Sequence, residues 1–356
     1  MSLSKLDSIL GKIQKYHPKY IDLKLDRMSR ILNDLDNPHL SLPPTIHVAG
    51  TNGKGSTIAF LRGMLENNGL NVHTYTSPHL VNFNERIRVN GKLISEEFLT
   101  EILIQVDKIN NGKEITFFEI TTAAAFLAFS KVKADILLLE VGLGGRLDAT
   151  NVVPNVIASI ITEISFDHEH FLGNRLSLIA KEKSGIIKSN VPVITINHNE
   201  EITLEIEKIS RENNAPLSVV NKKTFKAEGD EFSFMLNNSR IKLPKPSLLG
   251  DHQLENSALA VAAIILISEK IDGIKLNTCF EGLKYSTWPA RLQIIKEGKL
   301  VNIINNQNRL IILDGAHNLS GAKALSSKLL KINREWLIIF GYLKTRDPKE
   351  YLKTMI

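Results

Sequence analysis

The sequence contains a single cysteine, Cys279, in 356 residues. An intramolecular disulfide is therefore excluded, and the thiol usage fits a reducing cytoplasm. Aromatic residues are scarce at 6%, so platforms for stacking nucleic-acid bases are not expected. Long apolar runs are missing too. The longest, Ala258–Ile267 "ALAVAAIILI", is too short for a bilayer and reads as a buried helix. The opening "MSLSKLDSILGKIQKYH" has no uninterrupted apolar signal core and places its apolar residues at helical spacing. Internal repeats and low-complexity tracts are not evident. These absences predict a soluble cytoplasmic protein, with no nucleic acid and no membrane.

What is present is an ordinary globular composition, 43% apolar and 23% charged, in a chain long enough for two domains. The net charge of +6 comes from lysines scattered along the chain, not massed in a stripe. That pattern suits either a plain Lys-rich composition or attraction of small anions.

Strand-like runs alternate with helical patterns. "TIHVAG" leads through a glycine loop into "STIAFLRGMLENNG", whose Gly69 suits a helix C-cap. "NVHTYTSP" reads as a second strand. "ADILLLEVGLGG", "NVIASIITEIS" and "VPVITI" are near-continuous apolar runs, as central parallel strands require. The expected fold class is α/β, with a mostly parallel sheet of the phosphate-loop type. Residues from Asn221 to Pro246 read as a small antiparallel insertion, followed by the helix "QLENSALAVAAIILISEK". After "YSTWPARLQII" the pattern restarts with strand "RLIILDGAH", helix "SGAKALSSKLLKI" and strand "REWLIIFGYL". A boundary near Trp288–Pro289 then gives a central domain over 1–288 and a smaller, Rossmann-like α/β domain over 289–356.

Ligands of such sheets bind at the carboxyl ends of the strands, and polar clusters fall there. In Thr45–Ser56, "TIHVAGTNGKGS", Gly50, Gly53 and Gly55 allow backbone N–H groups to face phosphate oxygens. Lys54 adds a cation, Ser56 a hydroxyl for Mg2+, and the next helix its positive end. Gly55 is out of place, because the usual loop puts its hydroxyl residue directly after the lysine. Thr76, Ser77 and His79 follow the second strand. Glu140 ends a buried strand, where either magnesium or an arginine would satisfy it. Asp167, His168, Glu169 and His170 follow a fourth strand, without the thiols or spacing of a zinc site. Lys181, Glu182 and Lys183 read as a solvated helix end, and nothing in the pattern selects Lys183. Asp314, in "ILDGAHN", suits either a ribose contact or a turn near a helix cap at Asn318 or Ser320.

Together "HVAGTNGKGS", "TSPHLVNFNERIRVNG", "FFEITTAAAF", "EVGLGGRLDATN", "DHEHFLG", "IAKEKSGIIK", "WPARLQ" and "LDGAHN" resemble the folylpolyglutamate synthase/dihydrofolate synthase family, a branch of the Mur ligases. The resemblance implies that Asn52, Gly53, Lys54 and Gly55 bind ATP phosphates, and that Ser56, Ser77, Glu140 and His168 hold magnesium. It matches Lys183 to a carbamylated lysine, and Asn256, Arg291 and Asp314 to nucleotide contacts. Thr116, Phe117, Phe118, Glu119, Leu147, Asp148 and Ala149 match a pterin-substrate pocket. "YIDLKLDRM" resembles a pteroate-binding segment, giving Asp22, Leu23 and Lys24, although Lys24 stands at a usual glycine.

The implied reaction joins L-glutamate to a folate or dihydropteroate. A carboxylate attacks the ATP γ-phosphate, and the glutamate amine then attacks the acyl phosphate. Lys54 and Arg291 would offset charge on the transferring phosphoryl group. No Ser or Cys nucleophile is required, and a monomer is expected. The family continues past "GYLKTRDPKEYLKTMI" with further strands, so an incomplete second domain with an open sheet edge is expected. The alternatives are a Mur-type ligase for another carboxylate and a truncated ATP-binding module without ligase activity.

Overall fold

The computed structural model describes residues 4–17, 21–229, 231–236, 239–304, 309–332, 334–343 and 348–355. Tyr20 of the segment resembling a pteroate site, and Asp230, Asn237 and Asn238 of the insertion, lie outside the described residues.

Leu6, Ile9 and Ile13 recur at helical spacing and are buried by helix α1 (Lys5–Ile13). Helix α2 (Asp26–Asp34) buries Met28, Ile31 and Leu32 in the same way. Strand β1 (Thr45–Ala49), α3 (Lys54–Asn67), β2 (Val72–Tyr75), β3 (Ile87–Val89), β4 (Lys92–Leu93), α4 (Glu96–Asn110) and α5 (Phe117–Ser130) follow. The chain then runs through β5 (Ile136–Glu140), β6 (Val156–Ile161), α6 (Glu169–Leu172), α7 (Leu176–Ser184), β7 (Val193–Ile196), α8 (Glu200–Glu212) and β8 (Leu217–Val220).

These strands form one sheet in the order β4-β3-β2-β5-β1-β6-β7-β8. From β2 to β8 every pair is parallel, and only β3 and β4 run antiparallel at the edge. The continuous apolar runs are explained by this position: β1 and β5 are buried along their whole length, with helices on both faces. Crossovers between neighbouring parallel strands bring β1, β2, β5 and β6 to one edge by their carboxyl ends.

The insertion is a three-stranded antiparallel sheet of β9 (Phe225–Glu228), β10 (Glu231–Leu236) and β11 (Ser239–Leu243). Helix α9 (Asp251–Ile267) then packs beside α3, burying most of "ALAVAAIILI". Helix α10 (Leu276–Glu281) completes that layer.

Beyond Trp288 the elements are β12 (Gln293–Ile295), α11 (Lys299–Ile304), β13 (Ile311–Leu313), α12 (Leu319–Leu330) and α13 (Lys349–Met355). β12 and β13 pair antiparallel. The strand expected at "REWLIIFGYL" does not form: residues 335–343 carry no regular structure, with Leu337 and Ile339 91% and 90% exposed. An apolar run becomes a strand only where a neighbouring ladder accepts its backbone, and none does so among the described residues. Among the described residues no helix is long and apolar enough to cross a membrane.

Candidate active site

Between β1 and α3 the chain curls through the glycine loop. Gly53 has φ +90°, and a Cβ there would lie 2.4 Å from Asn256 Oδ1 on α9. The out-of-place Gly55 has a tertiary reason. A Cβ on it would meet the Trp288 ring at 2.6 Å, so the indole rests on the first turn of α3. Lys54 Nζ donates to the carbonyls of Gly50 at 3.0 Å and Thr51 at 3.2 Å, which holds its charge at the helix N-terminus. Ser56 Oγ is buried without a hydrogen-bond partner among the described residues.

Glu140, at the end of β5, is 4% exposed and accepts the Ser77 N–H at 3.0 Å. Burial pushes its carboxyl pKa up, against the charge of Lys54, the Ser77 bond and the charges of Arg291 and Arg86. Among the described residues it forms no salt bridge with an arginine, so of the two sequence alternatives the pairing is not realised. An orphan hydroxyl and a carboxylate with one backbone donor, lining the same cleft, form a donor set that suits a hard divalent cation.

His168 follows β6 with a left-handed backbone, φ 53°, and its Nε2 lies 4.0 Å from Asp167 Oδ1. Lys183 corrects the reading of a solvated helix end. It is 4% exposed, and its Nζ donates to the Gly50 carbonyl at 2.9 Å. The loop after β5 covers this end of α7, where the Arg146 N–H donates to the Glu182 carbonyl at 2.8 Å. Burial, reinforced by Lys54, pushes the Lys183 pKa down to about 7, against the attraction of Asp167, Glu163 and Asp148.

The C-terminal segment closes the cleft. Arg291 and Asp314 line it together with Asn52–Ser56, Ser77, Glu140, His168, Lys183 and Asn256. Asp314 ties two loops together, accepting from the N–H groups of Leu292 and Ala316, both at 2.7 Å. Asn256 Nδ2 donates to Gln253 Oε1 at 3.0 Å. A polar strap fixes this wall. Asn318 Nδ2 donates to Asn52 Oδ1 at 3.0 Å and Asp167 Oδ2 at 3.2 Å, and Ser320 Oγ donates to Glu163 Oε1 at 2.9 Å.

The expected substrate residues lie away from this cleft and against one another. Arg27 bridges Asp22 and Glu119, donating at 2.8 Å to the former and 2.9 Å to each Glu119 oxygen. Thr116 and Glu119 cap α5 reciprocally. Asp148 is 2% exposed and accepts from the Leu143 and Thr150 N–H groups, both at 2.9 Å. Phe118 packs under Gly142, where a Cβ would meet its ring at 2.4 Å, and Leu23 and Leu143 pack against one apolar cluster. Leu147 is half-buried, Ala149 buried, Phe117 half-buried and Lys24 exposed, 3.9 Å from Asp22. The carboxylates of Glu119 and Asp148 are thus engaged by the protein itself.

The sequence reading missed Glu163, Trp288, Arg27 and Arg86. Glu163 had a usable signal, a carboxylate just beyond β6. Trp288 and Arg27 meet Gly55 and Glu119 from far along the chain, whereas Arg86 bonds to the nearby His79 and was passed over.

The Mur ligase middle domain matches residues 48–264. The chain is 36% identical over 349 residues to dihydrofolate synthase/folylpolyglutamate synthase of Bacillus subtilis, covering 93% of this chain and 78% of that protein. It is 32% identical to folylpolyglutamate synthase of Lacticaseibacillus casei, covering 90% of this chain and 76% of that one. E. coli FolC in complex with DHPP and ADP superposes with a TM-score of 0.86 at 30% identity, covering 99% of this chain and 81% of that chain. A bifunctional folylpolyglutamate synthase/dihydrofolate synthase with Mn, AMPPNP and L-glutamate bound gives 0.83 at 29% identity, with coverages of 99% and 81%. In its middle domain and across most of its length, this chain belongs to the folylpolyglutamate synthase/dihydrofolate synthase family of Mur ligases.

Proposed function

We propose that this protein ligates L-glutamate to a folate and to dihydropteroate at the expense of ATP, through an acyl phosphate. The observation that carries this reading is the convergence on one cleft of the glycine loop, Lys54, Ser56, Glu140, Lys183 and Arg291. The B. subtilis relative is named for both activities, which supports the bifunctional form.

In this reading residues 1–288 form the ATP-binding domain and residues 289–356 close over it. Asn52, Gly53, Lys54 and Gly55 bind phosphates, while Asn256, Arg291 and Asp314 face the nucleotide. The orphan Ser56 hydroxyl and buried Glu140 fit magnesium, which Ser77 and His168 would help to hold. When bound, the ion supplies charge neutralisation at the transferring phosphoryl group. Lys54 and Arg291 oppose the same charge as the substrate carboxylate oxygen bonds to the γ-phosphorus and ADP departs. The glutamate amine then adds to the acyl carbon, and phosphate leaves with the C–O bond electrons. Lys183, with a pKa of about 7, offers a neutral amine that adds to carbon dioxide, releases a proton and becomes an anionic carbamate. Asp22, Leu23, Lys24, Thr116, Phe117, Phe118, Glu119, Leu147, Asp148 and Ala149 build the substrate side. Phe117 and Phe118 supply the apolar wall, and the engaged carboxylates of Glu119 and Asp148 hold its shape. In this reading the protein acts as a cytoplasmic monomer.

The test is ADP release with L-glutamate plus dihydropteroate or tetrahydrofolate. Glutamate-dependent release with either substrate is expected. ATP binding without such release would leave the ATP-binding module, and turnover of a different carboxylate would leave another Mur-type ligase.

A further inference from the structure

Arg86 is a buried cation that forms no salt bridge among the described residues, although its charge acts on the Glu140 carboxyl. It is 6% exposed. Its Nε donates to His79 Nδ1 at 2.9 Å, and its guanidinium faces the Phe83 ring 5.2 Å from the centroid. Among the described residues no carboxylate forms an ion pair with it. The neighbouring Glu85 spends its oxygens on the N–H groups of Leu80, Val81 and Asn82. A guanidinium carries five donors, and burying it without an anion is costly. Only Nε forms a side-chain hydrogen bond among the described residues, so both Nη groups keep their donors.

The placement says what could enter. The Arg86 carbonyl accepts the Thr76 N–H at 2.9 Å, so Arg86 lies across the strand pair from the residue preceding Ser77. The Ser77 N–H meets Glu140. On the other side Phe83 packs edge-on to Phe117 with centroids 5.8 Å apart. Arg86 therefore stands between Glu140, where phosphoryl transfer is assigned, and the aromatic wall of the substrate pocket. Lys54 and Arg291 line the nucleotide cleft, whereas Arg86 does not.

We infer that Arg86 binds the substrate carboxylate that becomes phosphorylated, approaching it from the pterin side while Lys54 and Arg291 serve the phosphates. The inference rests on the ligase reading above. His79 accepts from Nε through Nδ1, so its own proton sits on Nε2, and this bond fixes the plane of the guanidinium. A planar fork with both Nη groups unspent matches a carboxylate in two-point contact.

The experiment measures equilibrium binding of dihydropteroate and of its carboxamide, in the presence of a chelator and a non-hydrolysable ATP analogue. The wild type should prefer the acid by about tenfold or more, as hydrogen bonds to charged groups imply. Arg86→Gln should reduce that preference to about twofold or less, while affinity for the ATP analogue stays the same. Arg86→Lys, the safer variant for folding, should fall between them because a point charge replaces the fork. A wild type that bound acid and amide equally, or an Arg86→Gln protein that kept the full preference, would overturn the assignment. Failure of the ligase reading shows separately, as wild-type protein with no glutamate-dependent ADP release.

Discussion

On the sheet side of the cleft, Val48, Leu138 and Ile160 are 0% exposed, and the strand ends that carry the glycine loop and Glu140 rise directly from this packed core. On the C-terminal side, Ile303 and Leu330 are 78% and 79% exposed, and the only sheet among the described residues is a two-stranded antiparallel pair. The first wall is positioned by burial. The second is positioned by a few polar bonds, from Asn318 and Ser320 to Asn52, Asp167 and Glu163. On the proposed function, the phosphate chemistry falls on the element least able to move. The residues proposed to close on the nucleotide sit on the element easiest to release.

The largest effects should come from the buried wall. Lys54→Ala and Glu140→Ala should each lower glutamate-dependent ADP release by at least about 10²–10³-fold, the range for losing one preorganised electrostatic group. Near-normal turnover in either would remove the phosphate assignment. Lys183→Ala should also abolish most turnover, and a short-chain carboxylate should restore part of it. Full activity without rescue would sink the carbamate.

The same lysine gives a stability test. Its folded pKa is lowered from 10.5 to about 7, so between those values the unfolded chain binds more protons than the folded one. Stability contributed by this site therefore rises with pH from about 7 towards 10.5, and is at its least below pH 7. Lys183→Met should flatten that rise in denaturation midpoints measured across the window.

Gly55→Ala tests the seam between the walls. The new methyl would press on Trp288, and overpacking of this kind costs about 1–3 kcal/mol. Combining it with Trp288→Leu should cost less than the two single changes summed, and strict additivity would remove the contact from the explanation. The smallest effect belongs to the strap. Ser320→Ala should cost about 1 kcal/mol of closure, seen as a severalfold rise in KM for ATP with little change in melting temperature. A large fall in melting temperature would mean that the C-terminal wall is part of the core after all.

Much of the first wall was legible beforehand. Apolar runs marked β1, β5 and β6, and the polar residues just after them fell at one edge because parallel strands align their carboxyl ends. The C-terminal wall was less legible. "REWLIIFGYL" has strand composition, yet whether it pairs depends on a neighbour that its own letters do not contain. Lys183 was misplaced for a related reason. A lysine in the last turn of a helix is usually solvated, and only the loop after β5, folding over that turn, excludes water from it.

The sequence alone determined the order β1, α3, β2, β5, β6 and β7, the glycine loop between β1 and α3, and the strand-end position of Glu140. Those follow from side-chain periodicity and local backbone freedom, which act over a few residues. Tertiary structure decided that Gly55 must yield to an indole, that Glu119 and Asp148 are spent within the protein, and that Arg86 is buried without a salt bridge among the described residues. Desolvation and pairing are set by atoms brought together from distant parts of the chain, and local pattern does not encode them.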